Sequence, residues 1–572
     1  KIIGARYYLK GYEAYYGSLN RTYAYRSPRD HDGHGTHTAS TVAGRVVPGV
    51  SALGGFARGT AAGGAPLARL AIYKVCWPIP GPNPNIENTC FDADMLAAFD
   101  DAIGDGVHVL SVSIGASGVP PKYSNDGIAI GALHAAKHGI VVACSAGNDG
   151  PAPATVSNLA PWMITVGASS IDRAFDSLVL LGNGVTIKAV PAQFSGCQEG
   201  EREDSGLPER EWAQSGQRIG GKAGGWRGYH TGECGGQWQR DPCGRPRPPG
   251  DRCVVRRRNS HPKVHQRSPQ AERKDRLGSD CFGSHAGAGH GRLLVPRSEP
   301  RRTQYSQGLN ILAAWSESSS PTKLEDDHRS VKYNLYSGTS MSCPHVSAVA
   351  ALLKSLHPDW SSSAIRSAMM TTGTPSCVRG FEHSFCPSSH SGHWLSFFSA
   401  AVVNTRGAPL TDAAGQAAGP LELGSGHVRP NHASDPGLVY DASYEDYLLF
   451  ACSSIGAQMD PSFPCPETSP SPSDLNYPSI AISDLNGSVT VRRTVTNVGP
   501  GATRYRVTVT EPTGVSVSIS PGVLSFKRVG QKKSFSVTLK ARGTPGKVYV
   551  AGSYTWSDGA HVVRSPIVVS VA

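Results

Sequence analysis

Two architectures follow one another along this chain: an open parallel α/β sheet with helices on both faces, then a small β-sandwich. Three observations predict this order. Residues 60–190 alternate short apolar runs with helical patterns, which is the grammar of strand–helix–strand units and a parallel sheet. From Asp474 onward, apolar and polar residues alternate along segments separated by Gly and Pro, as in sandwich strands. The chain's 572 residues also exceed what one core normally holds, about 250–300 residues.

In order, Ala68-Arg-Leu-Ala-Ile-Tyr-Lys-Val75 reads as a buried strand and Asp92 to Ile103 as an amphipathic helix with an acidic first turn. Val107 to Ile114 returns as a strand, and the cycle repeats through a helix over Asp126–His138 and strands at Ile140–Cys144 and Met163–Val166. In the second part, Ser488–Asn497, Arg504–Thr510, Lys533–Leu539 and Val562–Ser570 alternate faces.

Residues 189–307 break this grammar: Arg and Gly dominate, and no period of two or 3.6 survives, so the segment cannot bury a core. Within it, residues 201–302 carry 18 Arg and 3 Lys against 12 Asp plus Glu, so nine of the chain's net charges of +11 sit there and the rest is close to neutral. The basic pI therefore marks one segment and not a nucleic-acid-binding surface. A second stretch without periodicity, about 375–404, reads as inserted sequence.

The chain opens on Lys1 with no leader pattern, from which an upstream portion is expected. No apolar run approaches the roughly 18 residues that would span a bilayer. Thirteen cysteines form no dense disulfide framework in a chain of this size. Cys76 with Cys90, and Cys452 with Cys465, are spaced as local bridges would be. With acceptor sequons at Asn20 and Asn486, these pairs point to an oxidising, secreted setting.

Three segments carry chemistry. Gly338-Thr-Ser-Met-Ser-Cys-Pro-His345 puts Ser340 behind a glycine turn at the start of an apolar helix, where unpaired amides and the positive dipole end favour an oxyanion. Pro344 is expected in the first turn, where proline is tolerated. Asp30-His-Asp-Gly-His-Gly-Thr-His37 opens a helix of small residues at His34. Val141-Val-Ala-Cys-Ser-Ala-Gly-Asn148 is a buried strand whose terminal Asn148 would project from the sheet's carboxyl edge, where open α/β sheets bind ligands.

These motifs resemble the signatures of subtilisin-like serine proteases. The surrounding text, with Ser27-Pro-Arg-Asp-His-Asp-Gly-His-Gly-Thr36, Gly424-Ser-Gly-His-Val-Arg-Pro430, Asp435-Pro-Gly-Leu-Val-Tyr-Asp441 and Arg493-Thr-Val-Thr-Asn-Val-Gly499, is similar to their plant branch. The resemblance implies a subtilisin-like sheet and a C-terminal fibronectin-III-like sandwich, a serine endopeptidase acting on protein or peptide substrates, no cofactor or metal, and an extracellular location. It implies His34 as general base, Ser340 as nucleophile and Asn148 as oxyanion donor. Ser111, Val112, Ser113, Ile114 and Gly115 would pair with substrate backbone, with Ala146 and Gly147 beside them. The domains expected are 1–188 and 308–450 for the peptidase, 189–307 for the basic segment at the place of a protease-associated insertion, 451–473 as linker and 474–572 for the sandwich.

The family's catalytic aspartate lies in a motif on a first sheet strand, and no such motif occurs in this sequence. Asp30 and Asp32 stand near His34 but two to four residues away, poorly placed to orient its ring. A chain without that carboxylate is expected to be nearly inert, or to act as a non-catalytic peptide binder. Leu293-Leu-Val-Pro-Arg-Ser-Glu-Pro300 stands where the family reads Phe-Ser-Ser-Arg-Gly-Pro-Asn-Pro, and codons for that peptide read one base out of register spell it. Residues 189–307 are therefore expected to be out of frame, and about 375–404 an unspliced intron.

Other readings weigh less. His34, His37, Asp30 and Asp32 could form a metal cluster, but the motif context opposes it. Cys234, Cys243 and Cys253 lack zinc-site spacing. Arg256-Arg-Arg258 could be a nucleic-acid patch, but aromatic interleaving is sparse and no binding module surrounds it. Cys343 reads as a packed thiol and His345 as a helix residue.

Overall fold

The computed structural model of the chain describes residues 1–22, 24–81, 88–150, 154–171, 173, 177–180, 186–189, 303–324, 326–372, 410, 418–419, 421–543 and 548–572. Apart from its two ends, the basic segment 189–307 lies outside these, as does 375–404, and so do the expectations placed on them. Among the described residues, Ser177–Leu180 pairs antiparallel with Thr186–Ala189.

The first part of the main unit contains β1 (Ile2–Tyr7), α1 (His34–Ala43), β2 (Leu70–Lys74), α2 (Asp92–Gly104), β3 (Val109–Val112), α3 (Gly127–Lys137), β4 (Val141–Ser145) and β5 (Ile164–Ser169). It continues through β6 (Thr303–Gln307), β7 (Ile311–Ala314), β8 (Tyr333–Tyr336), α4 (Thr339–Leu356), α5 (Ser362–Thr371), β9 (Leu438–Tyr440) and α6 (Tyr444–Ile455). Each strand and helix expected between residues 68 and 166 is present, with ends shifted by no more than three residues. Asp126 caps α3, accepting from the Ile128 and Ala129 amides at 2.9 and 3.1 Å.

Strands β6, β5, β4 and β3 form a parallel sheet in that order, with Val112 beside Cys144 and Ser145 beside Val166. Because alternate side chains take opposite faces, β4 feeds two cores. Val142 and Cys144 join Met95, Phe99, Ile128, Leu133 and Trp162 under α2 and α3, while Val141 and Ala143 join Val346, Ala350, Leu353 and Ile365 under α4 and α5. This is why β4 reads as an unbroken apolar run. Leu133 and Leu353 are no more than 1% exposed, and truncating either to Ala would cost about 2–5 kcal/mol.

Among the described residues the parallel sheet does not continue past β3. Among those described residues, β2 pairs only with β1, and β3 only with β4. The facing edges of β2 and β3 line a common cleft of about 1820 Å³, closed in part by Val42 of α1, Phe99 of α2 and Ala351 of α4. All five residues of β2 are accordingly half-buried. Full burial was the expectation for so apolar a strand, and its open edge is the physical reason for the difference.

The second part consists of β10 (Ile480–Leu485), β11 (Ser488–Asn497), β12 (Thr503–Thr510), β13 (Val515–Ser520), β14 (Val523–Phe526), β15 (Lys532–Ala541), β16 (Val550–Ser557) and β17 (Val562–Val571). One sheet runs β9-β11-β15-β13 and the other β10-β17-β16-β12-β14. Val491, Val495, Phe535, Tyr554, Trp556 and Ile567 meet between them. Strand β9 reaches this sandwich from outside residues 474–572, pairing Leu438 with Asn497 and Tyr440 with Val495.

Candidate active site

Ser340 is the second residue of α4, an 18-residue helix. Pro344 lies six residues into that helix and not in its first turn, so the first-turn expectation is corrected. A proline there cannot donate to the carbonyl four residues back, which is that of Ser340. The Ser113 hydroxyl, just past the end of β3, replaces the lost donor at 2.9 Å. In return Ser340 Oγ donates to the Ser113 carbonyl at 3.4 Å. Proline therefore survives inside the helix because a strand-end hydroxyl takes over its bond, and the exchange ties Ser340 to the sheet.

Asn148 follows β4 and is solvent-exposed. Its Oδ1 accepts from the Thr339 amide and from the Thr339 hydroxyl, both at 3.0 Å, and the same hydroxyl lies 3.2 Å from the Gly147 carbonyl. With Oδ1 engaged, the Nδ2 amino group donates to none of the described residues. Thr339 is the residue that sequence reasoning passed over, although it stands inside the quoted Gly-Thr-Ser motif.

His34 is the first residue of α1, behind Gly33 at φ 102°. A Cβ on Gly33 would lie 2.4 Å from the Trp315 ring, so this turn requires glycine. Asp32 Oδ1 accepts from the His34 amide at 3.0 Å, and its Oδ2 takes Lys323 Nζ at 2.6 Å and Asn88 Nδ2 at 2.9 Å. Burial would raise the Asp32 carboxyl, but the Lys323 charge, with His34 and Asn88, holds it down at about 2. Asp30 accepts from the Gly33 amide at 3.1 Å and from the Thr36 amide and hydroxyl at 2.7 and 2.6 Å. Both carboxylates are thus turned to donors other than the His34 ring, and that ring makes no hydrogen bond to the described residues. Burial pushes the imidazole below its ordinary value, with Asp32 and Asp30 opposing and Lys323 assisting. A neutral imidazole at neutral pH is the form a general base needs.

His34, Asn148, Ser340, Gly147 and Ser111 through Gly115 all line the cleft at the open sheet edges. Ala146 does not join them: it is 1% exposed, with its amide on Val166 and its carbonyl on Ser157. His37, one turn along α1, is buried and donates Nε2–H to the Ile311 carbonyl at 3.0 Å. Burial lowers its ring to about 4. Cys343 is buried and donates to the Ala143 carbonyl at 3.2 Å, with its thiol pushed up by burial, so it is packed and not poised as a nucleophile. His345 donates Nδ1–H to the Met341 carbonyl at 2.7 Å.

Away from the cleft, Cys76 is bonded to Cys90 and Cys452 to Cys465. Asn20 and Asn486 are exposed.

The sequence is matched by known proteins. A subtilase family model matches residues 5–393 and a fibronectin type-III domain model residues 474–569. The subtilisin-like protease SBT5.6 of Arabidopsis thaliana is 44% identical over 623 residues, a match covering 100% of this chain and 75% of that protein. For SBT5.5 of the same plant the identity is 43% over 626 residues, covering 100% and 74%.

Proposed function

Because this chain belongs to the subtilase family of plant subtilisin-like serine proteases, we propose that it is built to hydrolyse peptide bonds through Ser340, with His34 as its base. In this reading His34 takes the Ser340 Oγ proton as the oxygen attacks the scissile carbonyl. The oxyanion is met by Asn148 Nδ2 and the Ser340 amide. His34 then gives its proton to the leaving amine, and water releases the acyl group. Substrate backbone would run along Ser111–Gly115. The observation that carries this reading is the double anchoring of Asn148 Oδ1 by Thr339, which leaves the amino group for a ligand beside the nucleophile.

The orienting carboxylate is the part that Asp30 and Asp32 do not supply. The free edges of β2 and β3, with His34 lining the same cleft, leave a place for one more sheet strand, and a strand seated there would bring a carboxylate to the ring. Without it turnover would fall about 10⁴-fold, leaving slow reaction at Ser340 beside peptide binding along the open edge. The exposed sequon asparagines and the two disulfides favour a secreted glycoprotein. No described helix is long and apolar enough to cross a membrane.

Labelling with a fluorophosphonate tests the reading. Ser340 should be modified, Ser340→Ala should not, and an unlabelled native chain would favour the non-catalytic peptide binder.

A further inference from the structure

We propose that Lys323 is a positioning residue for His34: its ammonium holds Asp32 where that carboxylate grips the His34 backbone amide. The inference rests on His34 being the base.

Lys323 lies in the connection between β7 and β8, the hairpin that runs on into Gly338 and Ser340. Its backbone has φ 57°, a left-handed conformation disfavoured for any residue with a Cβ and ordinarily left to Gly, Asn or Asp. Such an outlier persists only where the surroundings over-determine it. Here the surroundings are specific. The Lys323 amide donates to Ser320 Oγ at 3.0 Å, and the side chain is 9% exposed with Nζ 2.6 Å from Asp32 Oδ2. The ammonium also stands 5.6 Å from the Trp315 ring centroid and 6.0 Å from that of Tyr336, two aromatic faces that favour a desolvated cation. Tyr336 in turn meets the His34 ring edge-on at 6.4 Å.

The chain of contacts is therefore Lys323 ammonium, Asp32 carboxylate, His34 amide. It joins the hairpin leading to the nucleophile with the turn that starts the base's helix. Breaking one half of a buried pair leaves the other half uncompensated, so Asp32 without Lys323 would be free to turn toward water or toward the imidazole. The charged and titratable groups facing His34 are Asp30, Asp32, Lys323, His37 and Tyr336. His37, at about 4, is neutral near pH 7, so among these groups Lys323 supplies the positive charge that disfavours imidazolium. Its removal also unmasks the Asp32 charge, which favours imidazolium, and both effects raise the His34 midpoint.

The test is an NMR titration of the full chain with ¹³C-labelled histidine, the His34 signal being assigned by His34→Gln. Lys323→Met and Lys323→Gly should each raise the His34 midpoint by about half a pH unit or more, while Lys323→Arg, which keeps the charge, should hold it near the native value. Gly suits the left-handed turn, so Lys323→Gly guards against misfolding. A purely structural lysine would lower the melting temperature of Lys323→Gly with the His34 midpoint unmoved, and an unmoved midpoint, whatever the melting temperature, overturns the proposal. Because the titration reads the ring whether or not a bond is cleaved, failure of Ser340 to label would count against the endopeptidase reading and leave this one separately decided.

Discussion

Ser113 and Ser340 bond each other in both directions. The Ser113 hydroxyl donates to the Ser340 carbonyl at 2.9 Å, and the Ser340 hydroxyl to the Ser113 carbonyl at 3.4 Å. The first bond exists because Pro344 has no N–H to give. Ser113→Ala should therefore leave a half-buried carbonyl unpaired, cost about 1 kcal/mol, and slow fluorophosphonate labelling of Ser340 by roughly tenfold. Adding Pro344→Ala restores an amide four residues on, so the double variant should regain most of the lost rate. A double variant slower than Ser113→Ala alone would show that the hydroxyl acts otherwise.

Asn148 and Thr339 make a second, graded test. Asn148→Ala removes the proposed side-chain oxyanion donor, and the labelling rate should fall about 10²–10³-fold, the range for losing one such donor in a subtilisin site. Thr339→Val deletes one of two anchors on Oδ1 and keeps the other, so a loss of only about fivefold is expected, equivalent to about 1 kcal/mol. Equal losses in the two variants would contradict this division of roles.

His561, between β16 and β17, predicts a pH dependence of stability. Burial alone would lower its ring, but hydrogen bonds and charge from Asp558, at 2.8 Å, and Asp435, at 3.2 Å, raise it above its ordinary 6.5. A folded-state value above the unfolded one contributes stability that is complete below about pH 6.5 and lost as pH rises through the folded value. Urea midpoints should therefore separate native chain from His561→Gln more at about pH 5.5 than at about pH 8.5. A gap that widens with alkalinity would refute the assignment.

The Cys76–Cys90 bridge closes a short loop, its ends 14 residues apart in sequence, and pairs the strands Cys76–Pro78 and Asn88–Cys90. Replacing both cysteines with Ser should cost about 3 kcal/mol, read as a lowered melting temperature. Because Asn88 donates to Asp32, the same variant should also loosen the turn before His34, visible as faster amide exchange at Gly33 and His34. Exchange there unchanged from native would confine the bridge to its own loop.

Much of this was legible beforehand because β4, β5 and α3 declare themselves by unbroken apolar runs or a 3.6-residue period. The Ser340, His34 and Asn148 motifs are local, each needing only a glycine turn and the start of a helix or end of a strand. What escaped is long-range. Lys323 sits in a connection without periodicity, and its partner Asp32 is 291 residues away. The replacement of the Pro344 amide by Ser113 joins residues 227 apart. Leu438–Tyr440 is three residues behind a Pro-Gly turn, too short for any period to mark it as a strand. The open edges of β2 and β3 depend on which strands neighbour which, and apolar content alone carries no information about neighbours.

Tyr440 of that short strand has one more implication. Its amide donates to Ser367 of α5 at 2.9 Å, and its hydroxyl meets Tyr554 and Ser565 in the sandwich at 3.1 and 2.8 Å. Anyone expressing the fibronectin-like portion alone from residue 474 would strip β11 of its outer neighbour and leave an adhesive margin prone to self-assembly. A workable dissection would have to carry the Leu438–Tyr440 ribbon along, and a calorimetric scan of the whole should show the two parts melting together.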